Sequence, residues 1–207
     1  MKRTFIFLAL LVATSWVQAA TLAVHNTGVD DLDQLVVAGA LSSFWILSDR
    51  PAGSLVLLGS APFRYRHPSY APDTPNSAWV SPNAGGNAGL NGIYVYDLTV
   101  DLTAFDPGSV VISGVFGTDN SGSISLNNEA PVASSGGAEF SGLKSFTLNN
   151  GFVAGLNRIH ISVNNQGDPT AFHVRFTDAT AAPVPVPAAL LLLAPALGFL
   201  GCSKRSA

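Results

Sequence analysis

"GIYVYDLTVDL", residues Gly92–Leu102, is the stretch whose reading decides the fold class. Tyr94, Tyr96, Leu98, Val100 and Leu102 fall on one side of an extended chain, and Val95, Asp97, Thr99 and Asp101 on the other. Side chains of a strand alternate faces with a period of two, so the stretch predicts a half-buried strand with an acidic outer face. The same test carried outward finds more strands. "SVVISGVFGT" (109–118) is apolar on both faces and reads as a central strand, and "SISLNN" follows it after a turn at Asp119-Asn120-Ser121-Gly122. "KSFTLNN" (144–150), "NRIHISVNN" (157–165) and "AFHVRFTD" (171–178) complete a C-terminal series. Between the segments lie Asp106-Pro107-Gly108, Asn149-Asn150-Gly151 and Gln166-Gly167-Asp168-Pro169, combinations that favour turns. Toward the N-terminus "TLAVHNTG", "SSFWILSD" and "SLVLLGS" read as three less regular strands, and the proline-rich stretch 61–89 as a long loop of the kind that often carries function. No window sustains a 3.6-residue apolar period. Strands at this spacing with no helix between them predict an antiparallel β-sandwich or barrel.

The two ends of the chain have a different character. Met1-Lys2-Arg3 is followed by an apolar run to Trp16 and then by Val17-Gln18-Ala19, which gives small side chains where a signal peptidase reads. The expectation is a signal peptide over 1–19, cut between Ala19 and Ala20 by signal peptidase after engaging the export machinery. At the other end three alternating prolines, Pro183, Pro185 and Pro187, precede an apolar segment over 188–202 and a basic end over 203–207 with Lys204 and Arg205. Fifteen residues make a helix of about 22 Å, short of the roughly 20 residues that a full membrane span needs. The prolines hold an extended strip that cannot pack inside a sheet, a form suited to a protease or transpeptidase cleft. Two readings follow: a label read by another enzyme, or a permanent single-helix anchor whose basic end stays cytoplasmic.

Composition limits what lies between. The body, 20–180, is long enough for one domain with a sizeable core. Four of the ten basic residues lie in the two terminal segments, so six face thirteen acidic ones in the exported part, a formal −7. That balance repels phosphate backbones and argues against a nucleic-acid partner. The single cysteine, Cys202, lies in the tail, so the body contains no disulfide and its stability rests on apolar burial.

Several segments in their order resemble a family. "NTGVD", "SAWVSPNA", "YVYDLTVDLTAFDP", "GVFGTDNSGSISLNN", "FVAGLNRIHISVNN" and "PTAFHVRFTDA" resemble bacterial surface proteins whose domain is similar to the galactose-binding-like jelly roll. The resemblance implies an all-β antiparallel jelly-roll sandwich of eight or nine strands, related to carbohydrate-binding modules. The C-terminal block, 181–207, resembles the PEP-CTERM sorting signal: a proline motif, a short apolar helix and a basic end. Here the motif is Pro185-Val186-Pro187, with valine in place of the central acid. That resemblance implies a transient membrane anchor, cleavage near the motif by an exosortase-like membrane enzyme, and release to the cell surface or the exopolysaccharide matrix.

Chemistry-bearing patterns are sparse. No Gly-x-Ser-x-Gly elbow, His-Glu-x-x-His pair, phosphate loop or cysteine cluster occurs, so no catalytic residue is assigned. His160 and His173 lie in strand patterns and could meet across a sheet, two ligands where zinc normally takes at least three. Asp97 and Asp101, four apart on a strand, stand about 13 Å apart at ~3.3 Å per residue, too far for a glycosidase pair and suited to a solvated face. In "GTDNSGS" (117–123) Asp119 and Asn120 carry oxygens that suit sugar hydroxyls, with Asp119 a candidate ligand of a structural Ca²⁺; the same residues suit a turn in which Asx side chains cap the backbone. Trp79 and Trp45 with Arg64 and Tyr65 are candidates for a sugar-stacking platform, since an aromatic face complements the C–H face of a pyranose. Packing in the core is the other reading for both tryptophans. No cofactor is required. The expectation is a non-enzymatic surface or matrix protein that binds carbohydrate or exopolysaccharide, with a ligand-free structural role and a polysaccharide-active hydrolase as alternatives.

Overall fold

A computed structural model of the chain describes residues 18–136 and 139–184. The signal segment through Val17, the sorting motif Pro185-Val186-Pro187, the apolar helix and the basic end Lys204-Arg205 lie outside the described residues. So does the apolar run of the signal segment, expected as an N-terminal signal helix. Among the described residues no helix is long and apolar enough to cross a membrane.

The body forms two antiparallel sheets with a common core. The first contains β3 (Phe63–Arg64), β4 (Val80–Ser81), β11 (Ala171–Ala181), β6 (Val111–Asp119) and β9 (Lys144–Leu148) in that order, with β1 (Ala20–Thr21) also pairing to β11. The second runs β2 (Trp45–Asp49), β5 (Gly92–Asp101), β10 (Leu156–Asn165), β7 (Ser121–Leu126) and β8 (Ala133–Ser135). The stretch Gly92–Leu102 supplies strand β5, and its apolar series is buried as the alternation requires: Tyr94, Tyr96, Leu98 and Val100 are each 1 % exposed. Opposite them stand Ile112 and Phe116 of β6, Phe172 and Val174 of β11, and Phe146 and Leu148 of β9, all in one apolar cluster. Burial of a large apolar side chain contributes about 1.5–3 kcal/mol, so this cluster holds the sheets together without a disulfide.

One irregularity keeps β11 in phase with its neighbour. Val174 pairs with Phe116 and Ala179 with Ile112, two positions of the same parity on β6 but of opposite parity on β11. A bulge between Phe176 and Asp178 absorbs the extra residue. Without it every apolar residue after Phe176 would turn outward.

Three expectations change. "SLVLLGS" (54–60) is not a strand; its last residues bond to β2, Gly59 N to Leu47 O at 2.7 Å and Leu47 N to Ser60 O at 2.9 Å, while Leu55, Leu57 and Leu58 stay exposed. The stretch is apolar, but no strand lies beyond it to complete a ladder. "TLAVHNTG" contributes only Thr21 to β1, and its continuation bonds irregularly to β11 through Leu22 N and Thr27 N. The turn expected at Asp119-Asn120 carries the chain across the sandwich, since β6 and β7 belong to different sheets. Finally, β11 continues to Ala181, and the chain after it still contacts the body: Asp106 N donates to Ala182 O at 2.8 Å and Val184 N to Ala104 O at 3.0 Å.

Candidate functional site

The proline-rich loop after β3 folds over the outer face of the first sheet and gathers most of the residues singled out by sequence. Trp79, just before β4, lies on that face with its ring 5.5 Å from His173 of β11. Tyr70 from the loop packs on Trp79 at 4.5 Å, and Ala71, Phe140 and Leu143 complete a second small apolar cluster. Trp79 is fully buried, and its Nε1 donates to Ala71 O at 2.9 Å. It is the floor beneath the loop and offers no face to a ligand. Trp45 is likewise fully buried, between the sheets, with Nε1 donating to His25 O. Neither tryptophan is a stacking platform, because both indoles are consumed by packing.

Arg64 is also committed internally. Its Nη2 contacts Asp73 Oδ2 at 2.9 Å and its Nη1 donates to Val36 O, so the guanidinium ties the start of the loop to its middle. Tyr65 is different. Its backbone N donates to Trp79 O at 2.9 Å, its ring meets Tyr70 edge-on at 6.1 Å, and the side chain is half-buried. Beneath the ring is Gly86, at φ +82°, where a Cβ would collide with the hydroxyl-bearing edge of the phenol ring. Only glycine lets the two come so close. Burial, followed by the nearby charges of Asp119 and Asp168, pushes the Tyr65 hydroxyl above its ordinary range. It stays a neutral phenol at physiological pH.

Asp119 ends β6 beneath the loop. Tyr70 Oη donates to its Oδ2 at 2.8 Å, and the residue is 6 % exposed. Burial raises the Asp119 pKa; the Tyr70 hydrogen bond and His67 oppose it. Tyr70 moves upward too, through burial first and then its bond to Asp119. This donor set does not fit a calcium ion. Calcium takes six to eight oxygens, whereas one Asp119 oxygen is already given to a hydroxyl, and among the described residues no three His, Cys, Asp or Glu side chains converge. Asn120 Oδ1 accepts from Gln166 N at 2.6 Å, so its side chain caps the neighbouring turn rather than facing solvent as a free ligand group. Asp168, in that turn, accepts from Ala88 N at 3.0 Å and is exposed. The loop end thus presents one half-exposed aromatic ring, Tyr65, flanked by the carboxylates of Asp168 and, deeper, Asp119. Sequence reading missed Tyr70 and Asp168; Tyr70 gave no signal beyond a tyrosine in a proline-rich loop.

The histidines do not meet. His173 lies on β11 and His160 on β10, which belong to different sheets. His173 is fully buried with neither ring nitrogen bonded, and burial holds its pKa down to about 4. His160 Nδ1 instead lies 2.6 Å from Asp97 Oδ1, its cross-strand partner on β5. Asp97 is accordingly 3 % exposed, not on a solvated face as its alternation with Asp101 suggested; Asp101 remains exposed and is held by the N–H and hydroxyl of Thr103. Arg158 Nη1 lies 3.9 Å from the other Asp97 oxygen. A polar cavity of about 360 Å³ opens beside these groups, lined by Thr99, Asn127, Asn128, Leu156, Arg158 and His160. A larger cavity, about 500 Å³, is an apolar groove around Leu41, Leu55, Val56, Leu57 and Phe63.

No protein-family model matches the chain, and no curated protein matches it. Among solved structures, it is similar to the Stig cyclase Fisc from Fischerella sp. TAU, in complex with a methyl-pyrrolidinylidene indole. The two are 17 % identical over 81 % of this chain and 100 % of that one, with a TM-score of 0.44. It is also similar to CBM35 from Paenibacillus barcinonensis, 14 % identical over 65 % of this chain and 93 % of that one, with a TM-score of 0.35. At these scores neither likeness bears on ligand or mechanism.

Proposed function

We propose that the chain is an exported surface or matrix protein whose sandwich, a galactose-binding-like jelly roll, binds carbohydrate at its loop end without catalysing a reaction. The observation that carries the binding role is Tyr65: a half-exposed ring pinned over Gly86 and flanked by the Asp119 and Asp168 carboxylates. An aromatic face takes the C–H face of a pyranose, and the exposed Asp168 carboxylate beside it accepts from the hydroxyls. Support for the jelly roll comes from the way the chain changes sheet at β5–β6, β6–β7, β8–β9, β9–β10 and β10–β11. Export and sorting rest on the sequence alone: the basic-apolar leader ending at Ala19, and the tail with Pro185-Val186-Pro187 and Lys204-Arg205.

A glycan array or polysaccharide pull-down tests the binding site. Binding that Tyr65→Ala weakens by about tenfold or more, without loss of thermal stability, is the expected result; binding unchanged in Tyr65→Ala refutes it. Wild-type protein that binds no glycan would instead leave a purely structural matrix role. The mass of the mature protein tests the sorting reading, which fails if both termini remain intact at the membrane.

A further inference from the structure

We infer that the outer face of the second sheet holds a second saccharide site, specific for neutral polyols, at the far end of the sandwich from Tyr65. The site follows from strand register. On that face Asp97 stands opposite His160, Thr99 opposite Arg158 and Asp101 opposite Leu156. Three successive rows therefore converge on the 360 Å³ cavity, which Asn127 and Asn128 close from the end of β7. A concave site with a few convergent polar groups is the usual form of a small-molecule site.

Most of those groups are available. Among the described residues the Thr99 hydroxyl, the Asn128 amide and His160 Nε2 have no hydrogen-bond partner, and the Arg158 guanidinium makes only its 3.9 Å approach to Asp97. Asn127 is different: its Oδ1 accepts from Arg158 N and its Nδ2 donates to Gly151 O and Asn157 Oδ1, so it fixes the wall instead of reaching inward. Asp97 has the matching role beneath. Its buried carboxylate holds His160 Nδ1 and so fixes which ring nitrogen faces the cavity. A planar fork of N–H donors, a hydroxyl, an amide and one ring nitrogen around the exposed Leu156 side chain match vicinal hydroxyls on a ring with an apolar edge.

Charge decides between a neutral and an acidic ligand. Arg158 is the one lysine or arginine among the six lining residues, and the buried Asp97 carboxylate lies 3.9 Å from its guanidinium. The site has no surplus positive charge for a carboxylate or sulfate, and the body around it carries a formal −7. Uronic acids are disfavoured and neutral sugars are taken.

The position of this site has a consequence. Strand β10 starts at Leu156, in the cavity, and ends at Asn165, beside the turn that Asn120 caps at the loop end. The two ends are about 30 Å apart at ~3.3 Å per residue. With the Tyr65 site at the other end, the module is bivalent and cross-links neutral polysaccharide chains, where two linked sites gain roughly 10²–10⁴ over either affinity. The bivalence, unlike the sheet-face site itself, rests on the Tyr65 reading.

The test uses wild type, Arg158→Ala, Tyr65→Ala and the double variant. Arg158 is largely exposed, so its truncation leaves the fold intact, which an unchanged melting temperature verifies. Amide chemical-shift mapping with methyl glucoside, methyl galactoside, methyl mannoside and sodium glucuronate reports on each site separately. A neutral array and a polyuronate panel report on avidity. Shifts at Thr99, Asn128 and His160 with a neutral glycoside, lost in Arg158→Ala and retained in Tyr65→Ala, are the expected outcome, with avidity for neutral polymers falling at least about tenfold in each single variant. No shifts at these residues with any of the three neutral glycosides, or stronger ones with glucuronate, would overturn the site. Shifts that persist in Arg158→Ala would overturn it equally. If the sheet-face shifts are present and Tyr65→Ala changes nothing, the second site stands and the loop-end reading falls. If Tyr65→Ala abolishes binding and the sheet face never shifts, the loop-end site stands and the second site falls.

Discussion

Replacing His173 by phenylalanine should make the protein more stable at neutral pH and remove most of the pH dependence of its stability between pH 6.5 and 4. His173 lies on the outer face of the first sheet beneath Trp79, fully buried, with neither Nδ1 nor Nε2 bonded. Burial lowers its pKa to about 4 and Arg175 adds to the effect, while Asp73 opposes it. In the unfolded chain the imidazole takes its proton near pH 6.5. Between those two values the unfolded state binds a proton that the folded state refuses, so stability falls as pH drops through 6.5 and levels off below about 4. The loss over that interval is about 3 kcal/mol. Asp119 works with the opposite sign: its folded pKa is raised, so acidification favours the folded chain as the unfolded carboxyl range is approached. Phenylalanine keeps the ring and removes both unbonded nitrogens, which should add about 1–3 kcal/mol at pH 7. Urea unfolding followed by tryptophan emission, at pH 7, 6, 5 and 4.5, reads both effects, and Trp79 lies close enough to report on the site. Parallel stability curves for the two proteins would refute the reasoning, since they would mean that His173 is protonated in the folded state or finds a partner there.

Two further predictions concern the same loop. Trp79→Ala removes a fully buried indole and the donor that satisfies Ala71 O, and should cost about 3–5 kcal/mol whether or not a ligand is present; chemical denaturation measures it, and a loss below about 1 kcal/mol would mean that the loop is not packed on this floor. Tyr70→Phe leaves Asp119 beneath the loop without its hydroxyl donor and should cost about 1–3 kcal/mol at pH 7, shrinking as the carboxyl is protonated. A cost that grows with acidification would contradict that pairing.

The parts of the fold that were legible were those in which one chain segment settles its own burial. Gly92–Leu102 shows its inward face because Tyr94, Tyr96, Leu98 and Val100 share a parity that no other element alters. Residues 109–118 read as a central strand, and β6 does lie between β11 and β9. Yet its outer face from Gly117 to Asp119 is buried for another reason, the proline-rich loop folded over it, which no periodicity in the strand reveals. Strands β3 and β4 are two residues each and β8 three, too short to show a period of two. Residues 54–60 show the converse, because an apolar run records burial propensity and says nothing of whether a partner strand exists. Alternation places Asp97 on the outer face, but its burial comes from His160, sixty-three positions away, and depends on a register that neither strand encodes alone. Trp79 escapes sequence reading for the same reason as residues 117–119: a ring on an outer face is a platform or a floor according to what a distant loop does above it.

That dependence on the loop also explains why Tyr65 and Trp79, fourteen residues apart, play different parts. The backbone N of Tyr65 is bonded to Trp79 O, so the two are cross-strand neighbours in effect and their side chains share one support. Trp79 points into the gap between sheet and loop, where Tyr70 seals it; Tyr65 stands at the edge, over Gly86, with the loop already anchored by Arg64 and Asp73 behind it. A ring held this way loses little freedom when a ligand covers it, and low ordering cost on binding is what lets a single aromatic contact yield measurable affinity. The same fixation separates the two residues experimentally. Truncating Tyr65 removes a half-exposed ring and should spare most of the stability, whereas truncating Trp79 withdraws the support from under the loop and should lose binding through loss of structure. Binding that survived Trp79→Ala at a temperature where that variant is half unfolded would place the ligand away from this end of the sandwich altogether.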